Sequence, residues 1–211
     1  YFASIPHDKL KAVIRRTIAD KRILYVWDTI IDSFSNSPGR GIPIGLLVSQ
    51  LSANVYLNAL DHYIKDELRV KYYIRYMDDF VIMSESKEEL HYLFQVIKSY
   101  IENILELSLN PKTRIYPASQ GLDFVGYRIW ANKKLPRKKN VIAAKKRLKK
   151  LAQQYNKDRI SLEKLTQTFA SFYGYVAHCD GKQTLNSVRK LVKDNIQLKP
   201  EDNFIEIYDY E

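Results

Sequence analysis

The chain has 211 residues, 45% of them hydrophobic, enough to bury a substantial core as one large domain or two small ones. Its net charge of +10 points to a polyanionic partner. The single Cys179 excludes an internal disulfide and fits a reducing, cytoplasmic setting; no apolar stretch is long enough to span a bilayer, and no Cys/His cluster has zinc spacing.

In chain order, Leu10, Val13, Ile14 and Ile18 recur at helical spacing over residues 6–21, with Pro6 suited to a first turn. Leu24, Trp27, Ile30, Ile31 and Phe34 continue that period. The Asn, Ser, Pro and Gly content of residues 36–41 predicts a loop, and residues 46–68 a long helix. Two runs rich in β-branched and aromatic residues, 70–75 and 80–84, read as strands, and Tyr76-Met77-Asp78-Asp79 stands between them. Residues 87–107 are amphipathic through Leu90, Phe94, Ile97, Ile101 and Ile104. Residues 113–116 and 123–130 read as strands, with turn residues Ser119-Gln120-Gly121 between them. Residues 143–155, 162–178 and 185–195 read as helices, and no internal repeat is visible. Strands and helices in this order predict an α+β domain followed by a helical one, with a boundary near residues 132–140, where Pro136 and basic residues interrupt the pattern.

Charge is unevenly placed. Between Arg128 and Arg159 stand thirteen Lys or Arg against one acid, Asp158, whereas from Glu201 onward there are five acids and no base. A solvated helix face would explain Lys145, Lys146 and Lys149 alone. With Lys133, Lys134, Arg137, Lys138 and Lys139 added, nucleic acid is the better reading, because phosphate contacts dominate such affinity. The acidic end reads as a surface tail, or as a mimic that shields the basic face.

Two adjacent acids between strands are poorly explained by packing, since unpaired acids are rarely buried. A surface turn facing water accounts for them blandly. As hard oxygen donors, they also suit a divalent cation such as Mg²⁺. Successive strand residues point to opposite faces, so Asp78 is assigned as the principal ligand and Asp79 as an auxiliary.

The string Tyr76-Met77-Asp78-Asp79 resembles the signature of reverse transcriptases, and further segments match that family in order. Tyr1-Phe2-Ala3-Ser4-Ile5 is similar to the end of its first catalytic motif. Gly41-Ile42-Pro43-Ile44-Gly45 with Ser49-Gln50 resembles its template and nucleotide motif, Leu107 to Thr113 its lysine motif, and Phe124-Val125-Gly126-Tyr127 its primer-grip hairpin. Ile44 and Gln50, with the run from Leu51 to Asn58, are most similar to diversity-generating retroelement enzymes, which copy template adenines with frequent errors.

The resemblance implies an antiparallel palm sheet packed on helices over residues 1–132, a basic helical thumb over 133–200 and an acidic tail over 201–211. It implies two-metal nucleotidyl transfer with two Mg²⁺ ions, Mn²⁺ being a possible substitute, held through Asp78 and Asp79. It implies that Phe2 packs beneath the incoming sugar and excludes a ribose 2′-hydroxyl, that Tyr76 packs near the primer end, and that Lys112 donates to the leaving pyrophosphate. Gly41, Ile44, Gly45, Ser49 and Gln50 would shape the nucleotide and template pocket, and Phe124, Gly126 and Tyr127 the primer grip. The implied partners are an RNA template, a DNA or RNA primer, deoxynucleoside triphosphates and a small basic accessory protein, with no membrane. The family's first aspartate falls five residues before the position of Phe2, ahead of Tyr1, as does the fingers region. The chain is therefore expected to be a palm–thumb fragment, inactive alone. Core packing for Phe2 and Ile44, a helix-start hydrogen bond for Gln50 and simple surface exposure for Lys112 are the bland alternatives. A group II intron-type reverse transcriptase/maturase and a non-catalytic nucleic-acid-binding fragment are the competing readings of the whole.

Overall fold

Aspartate 20 explains the first break in the chain. Its carboxylate accepts the backbone N–H of Arg22 at 2.8 Å and of Ile23 at 3.4 Å, capping a new helix where periodicity alone predicted one helix running to residue 21. The computed structural model describes residues 1–199. It divides into two compact units, Tyr1–Ile115 and a second beginning at Tyr116.

In the first unit a 3₁₀ turn, Phe2–Ser4, leads into α1 (His7–Arg15) and α2 (Lys21–Asp32). α3 (Leu47–His62) continues into a π-helical turn, Tyr63–Glu67, so the long helix expected over 46–68 changes its winding near the end. Next come β1 (Tyr72–Tyr76), β2 (Asp79–Met83) and α4 (Lys87–Asn103). Ser86 caps α4 by accepting the Glu89 N–H at 3.0 Å, and Glu88 and Glu89 lie in its first turn, where acids oppose the helix dipole. The core joins Leu10 and Ile14 of α1, Ile31 of α2, Tyr56 and Leu60 of α3, and Leu93, Ile97 and Ile101 of α4. Tyr56 is fully buried and donates its hydroxyl to the Leu105 carbonyl at 2.7 Å, so the phenol tip meets a partner rather than an apolar wall.

The second unit opens with a three-stranded antiparallel sheet in the order β3 (Leu122–Phe124), β4 (Tyr127–Ile129), β5 (Lys134–Pro136). The helices α5 (Lys138–Tyr155), α6 (Leu162–Ala177) and α7 (Lys182–Lys193) follow. They close on Leu148, Ala152, Leu165, Phe169, Val176, Val188 and Val192. Residues 123–130 are thus two strands rather than one. Val125 and Gly126 turn between them at φ 46° and 86°, the left-handed pair that a two-residue hairpin requires. Residues 113–116 form no strand.

The architecture is α+β, with small antiparallel sheets and seven α-helices among the described residues. The compact units part at Ile115/Tyr116, ahead of the boundary expected near residue 132, because one sheet spans residues 122–136 and ties both sides of that point together. The acidic segment 201–211 lies outside the described residues. Among those described, no helix is long and apolar enough to cross a membrane.

Candidate active site

β1 and β2 form a hairpin in which Tyr76 pairs with Asp79, leaving Met77 and Asp78 as the two loop residues. Met77 takes φ 55°, which L side chains adopt rarely and at a cost of about 1–3 kcal/mol. Asp78 and Asp79 are both exposed, and neither enters an ion pair among the described residues. Their oxygens are therefore open to a ligand. Tyr76 is 59% exposed beside them.

The strained turn is bolted to α3 from beneath. β1 alternates, with Tyr73 and Arg75 half-buried and Tyr72, Ile74 and Tyr76 exposed. Arg75 donates Nε to Asp61 Oδ1 at 2.7 Å and Nη2 to Asp61 Oδ2. Its Nη1 donates to the Met77 carbonyl at 2.8 Å and to Asn54 Oδ1 at 3.1 Å. Asn54 Nδ2 in turn lies 3.3 Å from Met77 Sδ, and Tyr73 donates its hydroxyl to Asp61 Oδ1 at 2.6 Å. Burial pushes the Asp61 carboxyl up, but hydrogen bonds from Arg75 and Tyr73 and the Arg75 charge outweigh it and leave it below the usual range. A hydrogen bond from a charged donor contributes about 1.5–3 kcal/mol, comparable to the strain at Met77. Sequence reading missed Asn54, Asp61, Tyr73 and Arg75. The alternation along β1 was the available signal, since it places Arg75 on the face that packs inward.

Two backbone hydrogen bonds draw the first motif and the glycine motif together: Ile42 N–H to the Phe2 carbonyl at 3.0 Å, and Gly41 N–H to the Ile5 carbonyl at 2.9 Å. Gly41 has φ 104°, and a Cβ there would meet Asn36 N at 3.0 Å, so this position accepts only glycine without a shift. His7 Nε2 donates to the Gly41 carbonyl at 2.5 Å. Tyr1 meets Phe2 edge to face at 5.7 Å and donates its hydroxyl to the Ala53 carbonyl of α3 at 2.5 Å. Burial raises the Tyr1 hydroxyl far above its ordinary range; the Arg75 charge opposes this, and Tyr56 and Asp78 add to it. Tyr1 thus meets α3 at Ala53, beside the Asn54 that Arg75 of the acidic hairpin contacts, so the first motif and the hairpin reach neighbouring residues of one helix. Phe2 is half-buried and packs on the core.

The nucleotide motif is split by burial. Ile44 is 79% exposed, and Gly45 and Gln50 are also exposed. Gly41 and Ser49 face the interior. Ser49 Oγ has no hydrogen-bond partner among the described residues, so its side chain is not at the surface where a nucleotide contact was expected. Lys112 is exposed in a turn closed by Asn110, whose Oδ1 accepts the Lys112 N–H at 3.0 Å.

In the second unit the hairpin Phe124–Tyr127 docks on α6. Tyr127 stacks on Tyr175 at 5.0 Å and donates to its carbonyl at 2.9 Å. The Tyr175 hydroxyl donates to the Gly126 carbonyl and accepts from Arg137 N–H at 3.0 Å and Asn140 Nδ2 at 3.2 Å. Lys134 lies over the Tyr127 ring at 5.1 Å, and Lys133 and Arg128 lie over Trp130 at 4.8 and 5.6 Å. Arg137 is half-buried, 3.7 Å from Asp123. On α5, Lys138, Lys139, Lys146 and Lys149 are exposed and Lys145 is half-buried, opposite or beside the apolar stripe Leu148, Ala152, Tyr155.

Among the described residues no group of three or more His, Cys, Asp or Glu side chains could hold a metal ion. The pair Asp78 and Asp79 still fits a hard divalent cation in part, because Mg²⁺ is commonly bound through one or two carboxylates with waters and substrate phosphates as its other ligands. Their exposure and the lack of an ion pair to either among the described residues are the observations behind that fit.

The chain is similar to known proteins over part of its length. The chain is 27% identical to "Protein YkfC" of Escherichia coli, over 61% of this chain and 44% of that protein. It is 35% identical to an "Uncharacterized 91 kDa protein in cob intron" of Schizosaccharomyces pombe, over 31% of this chain and 9% of that protein. It thus spans less than half the length of either. The profile of one family, described as "Reverse transcriptase (RNA-dependent DNA polymerase)", matches residues 1–129, which include the strained acidic turn, the glycine motif and the β3–β4 hairpin. The chain belongs to the reverse transcriptase family.

Proposed function

We propose that this chain forms part of the catalytic core of an RNA-directed DNA polymerase of the diversity-generating retroelement type. The observation that carries the reading is the pair Asp78 and Asp79, exposed and without an ion pair among the described residues, at a hairpin turn whose Arg75 meets Asn54 of α3 next to Ala53, the contact of Tyr1 in the first motif. In this reading Asp78 is the principal metal-holding carboxylate and Asp79 an auxiliary. Two bound Mg²⁺ ions, or Mn²⁺ in their place, would stabilise the attacking and leaving oxygens of nucleotidyl transfer.

The remaining roles fall to residues of the chain. The Phe2 ring lies beneath the sugar of the incoming nucleotide and excludes a ribose 2′-hydroxyl. Exposed Ile44, Gly45 and Gln50 line the nucleotide and template pocket, and Tyr76 packs near the primer end. Lys112 offers its ammonium to the leaving pyrophosphate. Phe124, Gly126 and Tyr127 grip the primer, and Lys133, Lys134, Lys138, Lys139, Lys146 and Lys149 contact phosphates as a helical thumb. RNA template, primer, deoxynucleoside triphosphates and a small basic accessory protein are the proposed partners.

Primer extension by the gene-length protein on RNA templates tests this reading. The expected products are RNA-dependent DNA strands with errors concentrated opposite template adenines. Faithful copying at adenines would remove the retroelement assignment, and the absence of any RNA-templated synthesis would remove the polymerase reading itself.

A further inference from the structure

The peptide that joins Met77 to Asp78 is held by one side chain. Arg75 Nη1 reaches the Met77 carbonyl at 2.8 Å, and a carbonyl oxygen fixes the plane of its peptide. That plane fixes the Asp78 N–Cα bond and so limits the directions in which its Cβ leaves the backbone. The other end of the same guanidinium grips both oxygens of Asp61, and its Nη1 also meets Asn54 Oδ1; both partners belong to α3. Arg75 therefore ties the turn to a helix of the core through a planar fork that lysine does not possess. Its side chain is only 12% exposed and its charge is matched by Asp61, so it does not neutralise Asp78 or Asp79.

We propose that Arg75 is a positioning residue for the acidic turn: it sets the direction of the Asp78 carboxylate through the Met77 carbonyl, with Asn54 and Asp61 as its anchors. A plain structural ion pair would need only Asp61. Two features go beyond that: the bond to Met77, a residue at φ 55°, and the approach of Asn54 to both Arg75 and Met77. The inference rests on the polymerase reading above, because it assigns Asp78 its role.

Arg75→Lys keeps the positive charge and can keep one bond to Asp61, but it cannot hold Asp61, Asn54 and Met77 at once. Asn54→Ala leaves the Arg75–Asp61 pair whole and loosens only the fork. The test combines two readouts on wild type, both variants and the double variant Asp78→Ala/Asp79→Ala. The first is primer extension by the gene-length protein, with turnover, template–primer KM and half-saturating Mg²⁺ measured separately. The second is nuclear magnetic resonance of the 211-residue chain, which reads amide hydrogen exchange at Met77 and Asp78 and line broadening by added Mn²⁺.

The expected result for Arg75→Lys is a turnover loss of roughly tenfold or more, since small misplacements of reacting groups are costly, with higher half-saturating Mg²⁺ and a template–primer KM within about twofold of wild type. Amide exchange at Met77 and Asp78 accelerates, and Mn²⁺ broadening there weakens, while the rest of the spectrum is retained. Asn54→Ala shifts the same quantities in the same direction by less, and it decides the matter if Arg75→Lys does not fold. Wild-type turnover, Mg²⁺ dependence and exchange in a folded Arg75→Lys or Asn54→Ala protein, beside an inactive Asp78→Ala/Asp79→Ala protein, would overturn the inference and leave the polymerase reading standing. An active Asp78→Ala/Asp79→Ala protein would instead remove the polymerase reading beneath it.

Discussion

Asp61 does more for this molecule than its place at the end of α3 suggests. Its carboxylate takes three donors from Tyr73 and Arg75 and is held below the usual carboxylate range. A carboxyl whose folded value is depressed contributes stability that is fully present above its unfolded value of about 3.9 and is lost as pH falls through the lower folded value. Asp61→Asn removes that charge and leaves Arg75 partly buried without its partner, which is expected to cost about 2 kcal/mol at pH 7, less than for a wholly buried pair. Urea unfolding of wild type and variant across pH 2–7 checks this. The gap should be constant above about pH 5 and narrow below pH 4. A gap independent of pH would show that the Asp61 charge contributes nothing.

At the scale of elements, the Tyr175 phenol is one of the ties that hold the β3–β4 hairpin, beside the Tyr127 hydroxyl bond and the pairing of β4 with β5. Tyr175→Phe keeps the ring stack on Tyr127 but deprives the Gly126 carbonyl of a donor and Asn140 of an acceptor, so a loss of about 1–2 kcal/mol is expected by urea unfolding. Gly126→Ala is expected to cost about 1–2 kcal/mol through its φ of 86° alone, since a methyl group at this position would meet neighbours only at 3.6 Å and beyond. A loss under 0.5 kcal/mol in both, roughly the effect of a neutral surface change, would mean the hairpin is not held this way. The sequence announced this hairpin only by resemblance. Read by composition, residues 123–130 form one strand, because Val125 is a strong strand former and nothing local reveals that it turns at φ 46°. The hairpin at residues 72–83 was more legible, since two β-rich runs bracket a polar pair. Helix α6 follows its apolar period closely, whereas α4 stops before the exposed Ile104, α5 starts at Lys138 in the basic run ahead of its apolar stripe, and the stop between α1 and α2 depends on the Asp20 cap, which periodicity does not register. The acidic pair was visible in the sequence. Its support was not, because Asn54, Asp61 and Arg75 come from distant stretches and meet only in the folded unit.

For the whole molecule, charge is the property that most clearly exceeds what folding requires. The exposed lysines of α5 lie away from its buried stripe, so they are free to serve a partner. Replacing Lys139, Lys146 and Lys149 by Gln is expected to leave stability within about 0.5 kcal/mol of wild type. The same change should lower the slope of log K against log salt for an RNA–DNA duplex by roughly 2, given about 0.7–0.9 for each phosphate no longer neutralised. An unchanged slope in fluorescence-anisotropy titrations would mean that this helix face does not touch nucleic acid. In the proposed function, catalysis belongs to the other unit, where two exposed carboxylates stand at a turn whose Met77 takes φ 55°. The direct measurement is RNA-templated primer extension in Mg²⁺ by the gene-length protein carrying Asp78→Ala and Asp79→Ala. A loss of at least about a thousandfold in turnover, with duplex binding retained, is the predicted result; turnover equal to wild type would contradict the account.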